Sequence, residues 1–334
     1  MSRALIVSAS LIALLLAGAG FAGWRALRSI DEPLNVAAPL VFKVPAGARF
    51  ARVAGELGRL GVVPQPRAWA LYARWKGLAG AIKAGEYEIL PGSTPRSVLD
   101  KLVSGQVLLH SLTIVDGWRV EDLLAAMRRN PDILSTLSAP ANLPDKLGLA
   151  GNPEGRFLPE TYRFPRGTSD VELLRQAHVA LGRVLDAAWA GRDPAIPLQN
   201  ADQLLIMASI VEKESAVPEE LPKIAGLYLH RLSIGMRLQA DPTVIYGLGG
   251  SYDGTVHTVD LRTDGPYNTY TRVGLPPTPI ALAGAAAINA TAHPEKTDAL
   301  YFVASGKGDG SHVFSATLEQ QNAAVAQYLS RQRR

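Results

Sequence analysis

The stretch Leu204–Val211, LLIMASIV, is apolar or small at every position except Ser209, and it runs straight into Glu212-Lys-Glu-Ser215. As a helix it has no solvated face, so other elements must enclose it on every side. That need sets a minimum on the fold: several elements have to converge on this one segment. It also sets the chemistry at the segment's end. A carboxylate in the last turn of such a helix is drawn out of water and sits near the negative end of the helix dipole. Both effects disfavour ionisation and raise its pKa, which suits a general acid. Glu212 and Glu214 are therefore the first candidates for chemistry.

Two residues apart on a helix, these glutamates diverge by about 200° and cannot form one acid/base pair. One should face a cleft and the other solvent or a salt bridge. Glu214 lies closer to the apolar stripe through Ser209 and Val211, and Ser215 follows it with a hydroxyl able to orient a carboxyl or a substrate. A plain surface Glu-Lys-Glu run at a helix end is the alternative reading of the same spacing.

The chain has 334 residues, a formal charge of +4 and no cysteine. Its length suits two or three units with real cores. The basic residues form no long block, so a nucleic-acid partner is not expected. The absence of cysteine excludes disulfides, thiolate metal sites and a cysteine nucleophile. The six histidines show no ligand spacing, so no metal is expected, and no G-x-S-x-G elbow supports a serine triad.

Ala4–Trp24 is 21 residues without a charge, long enough to cross a bilayer as a helix. Arg3 precedes it and Arg25 and Arg28 follow, but the short tail 1–3 argues for the N-terminus staying inside and the rest lying outside. Ala17-Gly18-Ala19 offers a signal-peptide cleavage site instead, but the apolar run continues through Phe21 to Trp24, which favours an uncleaved anchor. Residues 25–40 read as a juxtamembrane linker.

A motif then occurs three times. Gly47, Gly92 and Gly117 each follow an extended apolar stretch and open a helical pattern whose apolar triplets are Val53, Ala54 and Leu57, then Val98, Leu99 and Leu102, then Leu123, Leu124 and Met127. Residues 41–130 therefore predict three strand–turn–helix units. Pro140–Gly155 reads as a loop rich in Pro, Asn and Gly. Ser169 or Asp170 caps a long amphipathic helix, and another helix through Ile224, Leu227 and Leu232 ends at Gly235. ALYFVAS and HVFS around Gly306–Ser311 predict a hairpin, followed by a last helix over Thr317–Leu329 and a basic tail, Arg331–Arg334. The expected class is α+β, with a catalytic region over 201–334 and an intermediate α+β region over 106–200.

Gln239-Ala-Asp-Pro-Thr-Val-Ile-Tyr246 and Pro266-Tyr-Asn-Thr-Tyr270 gather amides, hydroxyls and rings. This mix suits a sugar, whose faces stack on rings and whose substituents match amides and hydroxyls. Gln239, Asp241, Tyr246, Asn268 and Tyr270 are the candidate groove residues, with Ser215 beside the glutamate; Asp241 before Pro242 also suits a helix cap or a turn.

EKES at 212–215, HRLSIGMRLQADPTVIYG at 230–247, YNTY at 267–270 and GLPPTPI at 274–280 together resemble the endolytic murein transglycosylases of the MltG/YceG-like family, as does GRFLPETYRF at 155–164. The resemblance implies a single N-terminal anchor, a LysM-like α+β module over 41–105 and a mixed α+β catalytic domain. It implies a lyase that cuts MurNAc–GlcNAc β-1,4 bonds in nascent peptidoglycan strands outside the cytoplasmic membrane. Such an enzyme leaves 1,6-anhydro ends, uses no metal or other cofactor, limits strand length and works beside peptidoglycan synthases. The family's catalytic glutamate falls on the second acid of the motif, here Glu214, with Ser215 completing a Glu-Ser pair. A two-carboxylate muramidase using Glu160 or Asp241, and a non-catalytic peptidoglycan-binding scaffold, are the alternatives.

Overall fold

The charge-free N-terminal run forms most of one continuous helix, α1 (Arg3–Arg28), in a computed structural model whose described residues are 3–137, 143–149 and 151–332. Ser10–Arg28 within it is long and apolar enough to cross a membrane by length and composition. The helix extends past Trp24 into the expected linker, and the residues after it are not free. Ile30 and Leu34 are buried, and Asp31 pairs with Arg96 at 2.6 Å.

The chain forms two units, Met1–His110 with Phe164–Gly167, and Ser111–Arg163 with Thr168–Arg334. In the first, β1 (Leu40–Val44) leads to α2 (Phe50–Arg59), α3 (Pro66–Trp75) follows, and β2 (Gly85–Ile89) leads to α4 (Pro95–Ser104). β1 and β2 pair antiparallel, with Leu40 opposite Ile89 and Val44 opposite Gly85. Phe50, Leu57, Trp69, Tyr87, Leu99 and Leu102 fill the core between them. The third repeat is β3 (Leu109–Thr113) leading to α5 (Val120–Arg129). At all three turns the glycine sits at positive φ (70° at Gly47, 82° at Gly92, 74° at Gly117), a conformation that costs glycine nothing, and every residue of the three apolar triplets is buried.

The second unit continues with β4 (Ile133–Leu134), α6 (Leu143–Leu147), β5 (Thr161–Pro165) and β6 (Thr168–Ser169). α6 falls inside the stretch expected to be loop: Leu143 is fully buried, and that burial outweighs the turn-rich composition around it. The parts of that expected loop at 140–142 and 150, the tail residues 1–2 and the basic residues 333–334 lie outside the described residues. Among the described residues the strands make four separate pairs, β1–β2 in the first unit and then β3–β5, β4–β6 and β7–β8, so helices supply most of the second unit's core. α7 (Asp170–Gly191) is capped by Ser169, whose hydroxyl accepts from Glu172 N at 3.2 Å, while Asp170 instead accepts from Thr136 and Leu137 N.

α8 (Ala201–Glu214) is the apolar segment, and Leu204–Val211 is buried at every position. α7, α9 (Leu221–Ser233), α10 (Asp241–Leu248) and α12 (Ala285–Ala292) pack around it; α11 (Thr258–Arg262) precedes α12. The hairpin β7 (Tyr301–Ala304) and β8 (His312–Ser315) and the terminal α13 (Leu318–Gln332) complete the unit. One close approach on α9 depends on glycine: a Cβ at Gly226 would sit 2.1 Å from the carbonyl oxygen of Glu295. Gly226→Ala should cost about 1–3 kcal/mol of stability in urea unfolding, because backbone rather than a flexible side chain must move.

Candidate active site

α8 delivers its last residue, Glu214, to a cavity of about 310 Å³ lined also by Tyr228, Arg231, Gln239, Asp241, Tyr270, Tyr301, Phe302 and Gln321. Helical divergence separates the two glutamates. Glu212 turns the other way and accepts from Gly284 N at 3.0 Å, at the start of α12, while Lys213 reaches Gly117 O at 3.1 Å.

Glu214 is held from α9. Tyr228, itself 1% exposed, donates its hydroxyl to Glu214 Oε1 at 2.5 Å. Arg231, one turn on, is fixed by Leu300 O at 2.6 Å and by Leu238 O, so it serves backbone rather than forming an ion pair with the glutamate. Burial pushes the Glu214 carboxyl up to about 7. The Tyr228 bond and Arg231 oppose that rise, and Asp241 adds to it. Burial, and the Glu214 charge next to it, also push the Tyr228 hydroxyl well above its ordinary range, so it remains a donor. With Oε1 occupied by Tyr228, Oε2 is left to carry a transferable proton.

A loop clamp builds the opposite wall. Thr269 O accepts from Gln239 N at 3.1 Å, and Thr269 Oγ1 meets Ala240 N at 3.0 Å and Thr243 Oγ1 at 2.9 Å. Gln239 has a φ of 52°, the sole positive value among described non-glycine residues. Strain of this kind persists where the surrounding structure over-determines the backbone, and it gathers at functional sites. Tyr270 donates to Asp241 Oδ1 across the cavity.

Of the residues expected from sequence, Glu214, Gln239, Asp241 and Tyr270 meet here. Asn268 stands behind them: its amide donates to Asp260, Leu261 and Thr263 carbonyls, and its Oδ1 accepts from Tyr270 N at 2.8 Å. Ser215 turns its hydroxyl to Val217 N at 3.0 Å. Tyr246 belongs to a neighbouring cluster, its ring 4.8 Å from Tyr267 and 5.0 Å from the Arg119 guanidinium. Glu160 is exposed and does not line the cavity.

Sequence reasoning missed Tyr228, Arg231, Tyr301, Phe302 and Gln321. The first two had a signal, a tyrosine and an arginine at i and i+3 on the mostly apolar stretch Ile224–Leu232. Gln321 had none: it comes from α13, donates Nε2 to Phe302 O at 3.0 Å and leaves a buried Oε1 without a donor.

The sequence profile of the YceG-like family matches residues 42–327. The chain belongs to the YceG-like family. Among family members, it is 29% identical to the endolytic murein transglycosylase of Bacillus subtilis strain 168, across 95% of this chain and 92% of that one. It is 25% identical to the endolytic murein transglycosylase of Streptococcus pneumoniae strain D39, across 98% of this chain and 66% of that one. The crystal structure of a YceG-like protein from Listeria monocytogenes aligns with a TM-score of 0.51 at 27% identity, covering 85% of this chain and 98% of that one.

The raised Glu214 carboxyl makes stability fall with pH. Its folded value, about 7, exceeds the ordinary 4.5, so the favourable contribution is complete below 4.5 and lost as pH rises through 7. The loss should reach at most about 3 kcal/mol, less where the cavity admits water. Glu214→Gln should make the fall of thermal stability between pH 5 and 8 shallower, while the buried Glu154 carboxyl, also pushed up to about 7, keeps a decline of its own. Tyr228→Phe, which removes the bond favouring the charged form of Glu214, should carry the Glu214 part of the decline to higher pH.

Proposed function

We infer that this chain is an endolytic murein transglycosylase. The observation that carries this is a buried carboxyl, Glu214, pushed up to about 7 in a polar cavity flanked by rings, in a chain matching transglycosylases over most of its length.

We assign Glu214 the roles of acid and then base. Protonated Oε2 donates to the glycosidic oxygen as the MurNAc C1–O4 bond breaks, releasing the GlcNAc 4-hydroxyl. The MurNAc C6 hydroxyl then bonds to C1, and its proton returns to the Glu214 carboxylate. The ring closes to a 1,6-anhydro end, no water is consumed and the enzyme is restored. General acid–base help of this kind contributes roughly 10²- to 10⁴-fold. Because the nucleophile comes from the substrate, the scheme needs no second carboxylate, unlike hydrolysis.

Gln239, Asp241 and Tyr270 are the proposed groove residues, with Asn268 setting the position of Tyr270; Gln321, which lines the same cavity, is proposed as a further contact to the sugar. Ser215 and Tyr246 are proposed as further contacts to the strand. α1 is proposed to anchor the chain in the cytoplasmic membrane with the rest outside, where peptidoglycan synthases work. Within 41–105 the β–α–α–β order of β1, α2, α3 and β2, followed by α4, supports the LysM-like reading of that module.

Asp241 in the same cavity keeps a two-carboxylate muramidase as a second reading. Mass spectrometry of products from uncrosslinked glycan strands separates the two. Anhydro ends lighter by one water than reducing ends are expected, and reducing ends alone would overturn the lyase assignment. Glu214→Gln should lower cleavage at least 10²-fold while strands still bind. Gln321→Ala should raise KM several-fold with a smaller change in kcat.

A further inference from the structure

We propose that the exposed face of α3 beside the end of α1 lies in the headgroup–acyl boundary of a bilayer containing anionic phospholipid, docking this unit on the membrane as well as tethering it. The proposal rests on α1 being a membrane span. Gly23, Ala26, Leu27 and Ile30 of the α1 end and its extension line one apolar groove of about 310 Å³ with Ala68, Leu71, Tyr72 and Trp75. Gly23 and Leu27 lie within the membrane-length stretch Ser10–Arg28, so whatever packs beside them sits at the depth where that span leaves the lipid.

The α3 residues at that depth suit the boundary. Trp69 and Ala73 face the core and are fully buried, yet Leu71 is 66% and Trp75 69% exposed, an unusual burden for a water-facing helix. Trp24, 53% exposed, adds a second indole from α1. Tryptophans concentrate at membrane interfaces because a large apolar ring and a polar N–H suit opposite sides of the headgroup layer. Cations surround the patch at this depth: Arg67 lies one turn before Leu71, Arg74 and Lys76 flank Trp75, and Arg25 and Arg28 stand on the side of α1 turned away from the groove. Lys76 Nζ lies 4.7 Å from the Trp75 ring, and the Arg28 guanidinium 5.2 Å from that of Trp24. Of the nearby acids, Asp31 is bound by Arg96, leaving exposed Glu32 against five cations. Such a surface attracts anionic headgroups while its rings enter the acyl margin.

The chain has no cysteine, so one introduced thiol carries a unique spin label. The test places the full chain in nanodiscs of phosphatidylcholine and phosphatidylglycerol and labels Leu71→Cys, with Leu14→Cys as the buried reference and Lys43→Cys as the aqueous one. The label at 71 should collide several-fold more with oxygen, relative to a water-soluble nickel chelate, than the label at 43. Omitting phosphatidylglycerol should shift it toward the aqueous value. Aqueous accessibility at 71 with 14 in hydrocarbon overturns the docking and leaves the anchor standing; aqueous values at both overturn the two together. Immersion at 71 that ignores phosphatidylglycerol overturns the role given to anionic lipid.

Discussion

The burial of α8 is the constraint on which the second unit depends. Its apolar run is stable only because α7, α9, α10 and α12 enclose it, and that enclosure extends to its last residue. The same packing that excludes water from Leu204–Val211 leaves the Glu214 carboxyl with a cavity on one side and Tyr228 on the other. A carboxyl on an exposed helix would ionise at its ordinary value and would hold no proton at neutral pH. Core formation and acid strength therefore have one physical cause.

Around that carboxyl the division of labour is clear. Burial raises its pKa and Tyr228 of α9 holds that rise back, while the Thr269 clamp holds Gln239 and Asp241 opposite it. Asn268 sits outside the cavity but, through the Tyr270 N–H, sets where one wall stands. Glu212, the other acid of the motif, binds the first turn of α12 and so works for the scaffold. Motif residues that look equivalent in sequence thus divide between cavity and scaffold.

Local rules made much of the fold readable. Three glycines followed by apolar triplets marked three strand–turn–helix units, and the hairpin and last helix near the C-terminus follow from alternation and turn residues. α6 escaped that reading because one fully buried leucine decides it against a loop-like composition. The site was half legible. Glu214, Gln239, Asp241 and Tyr270 lie in recognisable motifs, whereas Gln321 joins them from α13, more than a hundred residues from the glutamate, and no periodicity records that meeting.

By itself the sequence determined that Leu204–Val211 must be enclosed, that Glu212 and Glu214 must diverge, and that a membrane-length helix opens the chain. These are properties of neighbours along one chain, set by helical geometry and hydrophobicity. Tertiary structure alone decided which walls surround Glu214, that Tyr228 occupies one of its oxygens, and that Leu71 and Trp75 remain exposed beside the end of α1. Those outcomes depend on which faces of distant helices come together, and long-range packing sets that, not local propensity.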